Sequence, residues 1–282
     1  MHIETFYPAH PILKKHIEFY YFVKNTDTAS SLLYYSFPHV NTALNIHKNI
    51  NYEIRENFIN VSEAKTTNFV ALVNGIRRLP LLVAWNGCID KITIHFKPLG
   101  LNQFIRDPYP EVVPAHTQLF TSWNKNEKHF QFLNAFYTTN DNVKRLEILE
   151  LFLLSMYSPL EKQTVLEKAI ELLSDFQEEH SIGHIAHTLL LTEKTFNRLF
   201  HHHLGISPVA YKKIARFRHS LNNKLINDQI KKLTEIAYES NFYDQSHFIK
   251  MYNKLTGTSP ASFFNSIEKL ADEKLIFKFT KQ

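Results

Sequence analysis

The sequence predicts an α+β protein, in which a β-rich N-terminal domain is followed by an all-α domain. Three observations predict this fold class. Short runs of Val, Ile, Phe and Tyr bounded by turn residues fill the chain before about residue 135. The apolar period then changes to three or four residues from about Asn142, and the helical half contains an internal repeat. We predict a β-rich domain at 1–140, a helical linker segment at 141–160 and an all-α domain at 161–282.

The composition is that of a globular protein with enough apolar residues for a core. The 282 residues are 44% hydrophobic and 21% charged, with a net charge of +5. No stretch approaches the roughly 20 apolar residues that span a bilayer, and the N-terminus lacks the segments of a signal peptide. Cys88 is the single cysteine, which excludes an internal disulfide and fits a reducing compartment. We therefore expect a cytoplasmic protein with no membrane partner.

Six short runs predict the strands of the first domain. In one of them, apolar Ile92, Ile94 and Phe96 alternate with polar residues, as in a strand with one buried face. The six runs are His16–Val23, Leu32–Phe37, Thr42–His47, Asn68–Val73, Leu79–Trp85 and Lys91–Phe96. Several short strands at this spacing predict a sandwich or a barrel.

An amphipathic helix is predicted over about 142–157, before Ser158-Pro159 breaks the pattern. Its apolar residues recur every three or four positions, at Val143, Leu146, Leu149, Leu153 and Met156. Leu151, Phe152 and Leu154 widen this stripe beyond what one core face needs. We therefore expect the helix to pack on two sides, and we predict that 142–157 is the contact of a homodimer.

The helical half repeats itself at an offset of 51 to 52 residues. Ile185-Ala186 recurs as Ile236-Ala237, and Ser207-Pro208 recurs as Ser259-Pro260. The other matched pairs are Phe196 and Phe248, Arg198 and Lys250, Phe200 and Tyr252, Gly205 and Gly257, and Tyr211 and Phe263. Self-similarity at a fixed offset indicates a duplicated supersecondary unit.

Each copy predicts two helices joined by a tight turn. In the first copy these are Ile182–Leu189 and, after a cap at Thr192, a helix over 193–204. In the second copy they are Leu233–Ser240 and, after a cap at Asp244, a helix over 245–255. Helix, short turn, helix is the plan of the helix-turn-helix unit, whose second helix enters the DNA major groove.

The helix between the copies has the length, and the repeat region has the positive charge, that two DNA-binding units in one chain need. A continuous helix from Pro208 to about Ile226 spans roughly 28 Å at about 1.5 Å per residue. That length can hold two recognition helices about 34 Å apart, one turn of DNA. From Ser181 to Pro260, eleven Lys and Arg stand against five Asp and Glu. One chain is therefore predicted to bind two successive major grooves of double-stranded DNA.

These motifs resemble the AraC/XylS family of bacterial transcription regulators. The resemblance covers about residues 165–265. The segments that carry it in the first copy are Ile185-Ala186, Phe196-Asn197-Arg198-Leu199-Phe200, Gly205-Ile206-Ser207-Pro208, Tyr211 and Arg216-Phe217-Arg218. Those in the second copy are Ile236-Ala237, Asn241-Phe242, Gln245-Ser246-His247-Phe248, Lys250 and Gly257-Thr258-Ser259-Pro260. Asn241 stands where the family usually has Gly, and Tyr252 replaces the usual Phe. Phe96-Lys97-Pro98-Leu99-Gly100 is similar to the family's sensor domains, which are often cupin-like β-barrels. The resemblance implies a transcription activator that contacts RNA polymerase, with a sensor domain at 1–140 that binds a small effector and a DNA-binding domain at 161–282. Repression in place of activation stays open as the alternative.

The resemblance also implies which residues contact DNA, because the family's base contacts lie near the start of each recognition helix. Carried over by position, the base contacts are Glu193, Lys194, Asn197, Arg198, Gln245, Ser246, His247 and Lys250. The candidates for phosphate contact are Thr192, Lys212, Lys213, Arg216, Arg218, Lys231, Lys232 and Asp244. The base chemistry is suitable, since Arg and Lys bond guanine whereas Asn and Gln bond adenine. The alternative for each residue is an ordinary solvated side chain.

The remaining polar clusters do not predict chemistry. The histidines at His184, His187 and His201–His203 have no Cys or carboxylate partners at zinc-site spacing. A metal-dependent cupin would need the spaced His-x-His motif, which is missing around the candidates His39, His47, His95 and Glu53. We therefore predict no metal, no cofactor and no enzymatic activity, and the sequence does not identify the effector-binding residues.

Two alternatives to an effector-controlled regulator stay open. A repair or alkyl-transfer enzyme can carry the same paired units, but Cys88 lies mid-domain without a four-Cys metal pattern. A regulator controlled by protein contacts or abundance, with no small ligand, is also compatible with the sequence. The aromatic residues Phe19–Phe22, Tyr34, Tyr35 and Trp85 fit either an apolar pocket or a plain core.

Overall fold

The computed structural model describes residues 2–114, 116–161, 163–226, 245–270 and 274–280. The predicted α+β architecture is confirmed: a β-rich N-terminal half precedes a helical half. The strands form two six-stranded sheets that do not close into a barrel, so of the two predicted forms the structure fits the sandwich. In the described part of the chain, no helix is long and apolar enough to cross a membrane.

The first sheet is antiparallel throughout. Its strands, in spatial order, are β1 (His2–Phe6), β2 (Ile17–Asn25), β9 (Ile89–Phe96), β4 (Thr42–Lys48), β7 (Phe69–Asn74) and β10 (Gln118–Leu119). Central β9 is buried on both faces, because Lys91 and Thr93 are enclosed as well as Ile92 and Ile94. The prediction that this strand buries one face is therefore wrong, since both faces are buried.

The second sheet contains two strands from the far end of the chain. Its spatial order is β11 (Glu268–Leu270), β12 (Leu275–Phe279), β3 (Ser31–Ser36), β8 (Leu81–Asn86), β6 (Phe58–Glu63) and β5 (Ile50–Arg55). The pairing of β12 with β3 is antiparallel, with Phe277 opposite Ser36. The prediction of an all-α C-terminal domain is therefore wrong for this tail. Its partner strand lies more than 200 residues away, and no local pattern signals such a pairing.

Helices cover the outer face of the first sheet. They are α1 (Pro11–His16), α2 (Tyr109–Val112), α3 (Glu127–Thr138) and α4 (Asn142–Met156). Ile94 and Phe96 of β9 pack with Phe136, Leu149 and Leu153 of α3 and α4 in one core. The amphipathic helix predicted at 142–157 is thus confirmed as α4, while its role in a dimer stays a prediction.

The helices of the second half pack around a second core, to which Phe37, Ile76 and Leu99 of the N-terminal half also contribute. These helices are α5 (Gln163–Ser174), α6 (Ile182–Thr188), α7 (Glu193–Leu204), α8 (Pro208–Ile226), α9 (Gln245–Thr256) and α10 (Pro260–Phe264). Each repeat contributes its matched aromatic residues, Phe196 with Phe248 and Phe200 with Tyr252, and all four are buried. Tyr252 also hydrogen-bonds with Ser220 of α8 at 3.0 Å between hydroxyl oxygens, so the long helix and the second repeat form one packed unit.

Candidate nucleic-acid interface

The first unit is a pair of short helices with capped ends. The Ser181 hydroxyl accepts from the His184 amide at 3.0 Å at the start of α6, and the Thr192 hydroxyl accepts from the Thr195 amide at 3.2 Å at the start of α7. Leu190, in the turn between them, is left-handed at φ 57°. Gly205 ends α7 at φ 68°, in the conformation that favours glycine.

One face of α7 is exposed to solvent, and the opposite face is buried. Phe196, Phe200 and Leu204 are buried, whereas Glu193, Lys194 and Arg198 are exposed. Asn197 is half-buried, and its side-chain amide donates to the Glu193 carbonyl at 2.9 Å. Three of the four predicted base-contact residues of this helix are therefore accessible to solvent. Asn197 would have to break its hydrogen bond with the Glu193 carbonyl before it could bond a base.

The second unit repeats this geometry where it is described. Gly257 ends α9 at φ 77°, and the Ser259 hydroxyl accepts from the Ser262 amide at 3.4 Å to start α10. The predicted base-contact residues Gln245, Ser246, His247 and Lys250 are all exposed on α9. The helix predicted at 233–240 and the phosphate candidates Lys231, Lys232 and Asp244 lie outside the described residues.

A basic groove joins the two units. It has a volume of about 490 Å³, and its basic lining residues are Arg78, Lys212, Lys213, Arg216, His247, Lys250 and Lys254. Predicted base contacts of α9 and predicted phosphate contacts of α8 are thus brought together on one surface. Arg78, from the loop between β7 and β8, was missed by sequence reasoning because it lies about 100 residues outside the repeat.

Glu179 is the acidic residue in this groove. Its carboxylate accepts from Arg216 at 2.7 Å and lies 3.9 Å from the Lys212 ammonium. The hydrogen bond from Arg216 lowers the pKa of Glu179 below its usual range, so it is ionised at neutral pH. Two predicted phosphate contacts therefore already have an anionic partner in this structure.

Arg218 is placed away from this surface. Its guanidinium turns toward the sandwich and donates to the carbonyls of Phe37 at 3.1 Å and Pro38 at 2.7 Å. Burial lowers its pKa to about 9, so it remains charged at neutral pH. Its predicted role as a phosphate contact would require this domain contact to open, whereas Lys212, Lys213 and Arg216 need no such change.

Arg218 instead lines a cavity of about 90 Å³ at the junction of the two halves. Arg77 and Lys91 of the sandwich also line it, as do His39, His95 and the tail residues Lys274–Phe277. Sequence reasoning did not identify this cavity, because its walls come from β-strands, a helix and the tail that are far apart in the chain. In the described part of the chain, no three His, Cys, Asp or Glu side chains are close enough together to hold a metal ion.

The sandwich also contacts the first recognition helix at its C-terminal end. The Asn102 side-chain amide donates to the His203 carbonyl at 3.0 Å, and Tyr109 of α2 lies beside Gly205. The opposite end of α7, with its exposed residues, stays open. The N-terminal half therefore contacts α7 at the end opposite its exposed predicted base-contact residues.

Comparison with known proteins identifies the helical units. Residues 185–266 match a protein family described as a helix-turn-helix domain. The C-terminal region is an AraC-type helix-turn-helix domain. All sixteen residues predicted to contact bases or phosphates lie within this AraC-type domain. No match to the chain is found among curated proteins.

Solved structures of ToxT from Vibrio cholerae are similar to the chain as a whole. One is 11% identical, covers 86% of this chain and 98% of that chain, and superposes with a TM-score of 0.46. Another, bound to (E)-4-(8-methylnaphthalen-1-yl)but-3-enoic acid, is 11% identical over 94% of this chain and 99% of that chain, with a TM-score of 0.43.

Proposed function

We propose that the protein is a sequence-specific DNA-binding transcription regulator that inserts α7 and α9 into two successive major grooves. The observation that carries the proposal is the repeated geometry of the two helices. Each buries its matched aromatic residues and exposes, near its start, side chains that can bond base edges. The basic groove beside α8 and α9 supplies the phosphate-binding charge that fixes the protein on the duplex.

Selection of genomic DNA fragments by the purified protein at two salt concentrations tests this function. We expect enrichment of one motif with two half-sites about one helical turn apart, retained at the higher salt. Binding without sequence preference that disappears at the higher salt would contradict the proposal, because phosphate contacts alone would then account for it.

We infer that this regulator acts in the cytoplasm as an activator that contacts RNA polymerase. We also infer that α4 is the contact of its homodimer. Val143 and Leu151 of α4 are 62% and 69% exposed, although the helix also buries Leu149 and Leu153. Large exposed apolar residues beside a buried face support packing on a second side. Sedimentation of wild type and Leu151→Asp tests the dimer, since the variant is expected to be monomeric while keeping its helical content.

Control by a small effector completes the proposed function, with no enzymatic step. The supporting observation is the cavity of about 90 Å³ that Arg218 of the DNA-binding domain shares with the sandwich. A ligand there would touch both halves, so it could change their relative arrangement. If no small molecule changes the melting temperature or DNA affinity, the alternative of control by protein contacts or abundance is favoured.

A further inference from the structure

The charge of the junction cavity points to a specific class of ligand. We propose that the cavity binds a small oxyanion, a short carboxylate or inorganic phosphate, through Arg77, Lys91 and Arg218. This inference rests on the proposed effector control, but it concerns ligand chemistry and can be tested without DNA.

The cavity has an excess of buried positive charge. Arg77 and Lys91 are only 8% and 5% exposed, and the Arg218 guanidinium is turned inward beside them. Among the described residues that line the cavity there is no Asp or Glu. Glu18, outside the lining, hydrogen-bonds to Asn41 and lies near enough to Arg218 to raise its pKa. Among the described residues, one nearby carboxylate therefore stands against two guanidinium groups and the Lys91 amine.

Two of these cations retain unused hydrogen-bonding capacity. Nη2 of Arg77 donates to the Ser36 hydroxyl at 2.8 Å, whereas its Nη1 has no partner among the described residues. Nζ of Lys91 lies 3.5 Å from the Tyr21 hydroxyl and 4.6 Å from the ring centre of Trp85, which are weak substitutes for a counter-ion. Buried charge without a partner is costly, and a bound anion would supply charge and acceptors together.

The neutral residues of the cavity are suited to the same ligand. Burial lowers the pKa of His95 to about 3 and that of His39 well below its usual value, so both rings are neutral at pH 7. Nδ1 of His95 has no partner in the described part of the chain. A neutral imidazole can donate one hydrogen bond to an oxyanion without adding charge repulsion against Arg218.

The volume limits the size of the ligand. A cavity of about 90 Å³ is smaller than the roughly 150 Å³ cavity that holds benzene, and one water takes about 30 Å³ of liquid volume. The space therefore admits an anion of a few heavy atoms and excludes a long acyl chain. Acetate, a short 2-oxo acid and phosphate all fit this limit.

Such an anion would connect the two halves of the molecule. Arg77 belongs to the loop after β7, and Arg218 belongs to α8, the helix that joins the two helix-turn-helix units. An anion bridging these guanidinium groups would hold α8 on the sandwich, with Leu275 and Ile276 of the tail closing the wall. Ligand binding would thus set the position of the second recognition helix relative to the N-terminal domain.

The test is thermal unfolding of the full chain without DNA, in chloride, acetate, pyruvate or phosphate at equal ionic strength. We expect one of the oxyanions to raise the melting temperature of wild type over chloride by about 5 °C at a hundredfold excess over its Kd. If acetate or pyruvate is the effective anion, the ligand is a short carboxylate. If phosphate is the effective anion, the ligand is inorganic phosphate. Arg77→Gln should abolish the rise, whereas Arg78→Gln, at the neighbouring exposed arginine outside the cavity lining, should keep it.

Three outcomes would overturn the proposal. One is no rise with any oxyanion, and another is an equal rise in wild type and Arg77→Gln, which is a general salt effect. The third concerns Asp272 and Glu273, which lie outside the described residues and precede the lining residue Lys274 in the sequence. A rise confined to the variant Asp272→Asn/Glu273→Gln would mean that a carboxylate of the chain itself competes with the anion. If Arg77→Gln does not fold, Lys91→Met replaces it. Because the DNA selection is run separately, either proposal can fail while the other stands.

Discussion

Arg216 of the long helix α8 donates to the carboxylate of Glu179 at 2.7 Å, inside the basic groove between the two helix-turn-helix units. The same carboxylate lies 3.9 Å from Lys212. Glu179 therefore occupies the position at which a DNA phosphate would be expected to meet these cations. In the proposed function, a phosphate bound by these cations has to displace the Glu179 carboxylate, so Glu179 is expected to lower the affinity for any DNA sequence.

Glu179→Gln is expected to raise the affinity for matched and unmatched DNA alike, by about three- to tenfold at low salt. The change removes one negative charge that repels DNA and frees Arg216 and Lys212 to bind phosphate. The slope of log affinity against log salt concentration should therefore become steeper by about one released counterion. Fluorescence anisotropy over a salt series measures both quantities. Glu178→Gln, at a neighbouring residue whose side chain is 78% exposed, is the matched control. Equal gains in both variants would indicate a general charge effect.

Arg198→Ala tests base contact by the first recognition helix. Because Arg198 is exposed on α7, we expect a loss of about 1–3 kcal/mol on the cognate site and relaxed discrimination at one base pair. Lys213→Ala, on the groove side of α8, should weaken all sequences about equally. Competition assays with single-base variants of the selected site separate the two. An equal loss on every site in Arg198→Ala would make Arg198 a phosphate contact.

Leu190→Gly is expected to stabilise the protein. Leu190 is left-handed at φ 57° and 92% exposed, so a side chain strains the backbone there and buries almost no apolar surface. Relief of this strain contributes roughly 1 kcal/mol, which should raise the melting temperature by about 2–4 °C. Leu189→Gly, one position earlier and not left-handed, should lower it. A lower melting temperature in Leu190→Gly would show that the side chain stabilises the turn.

Lys91→Met is expected to stabilise the protein at low pH. Burial lowers the pKa of Lys91 to about 7, whereas the unfolded value is about 10.4. Between these pH values the unfolded chain binds more protons, so the Lys91 contribution to stability rises with pH and is least favourable below pH 7. Urea unfolding in chloride buffer should show a gain of about 2 kcal/mol at pH 6 that shrinks toward pH 9. A gain independent of pH would assign the effect to packing.

The tail strand β12 is expected to stabilise both halves. Leu275 packs in the core between the sheets, and Ile276 packs in the core of the helical half. Since each is buried, Leu275→Ala and Ile276→Ala should each cost about 2–4 kcal/mol of unfolding free energy. Lys278→Ala on the same strand is the control and should change little. If only one half loses stability in each variant, the two halves unfold independently, and unfolding followed by near-UV circular dichroism would show two transitions.

The sequence by itself determined the features that local patterns encode. These features are the repeat, which matches Gly205 with Gly257, and the cap at Thr192. Each acts within a few residues of its position. They therefore predicted α7 and α9 and the exposed face of each recognition helix. Alternation and apolar runs similarly located six strands of the sandwich.

The tertiary structure alone decided the features that depend on distant parts of the chain. Three such features are the pairing of β12 with β3, the burial of Lys91 and the contact of Arg218 with the sandwich. Each depends on partners that are far away in sequence. A charged residue has the same local pattern whether it faces solvent or a buried cavity, so the basic residues of α8 looked alike in the sequence. Packing separated them, because the long helix presents Arg216 to the groove and Arg218 to the sandwich.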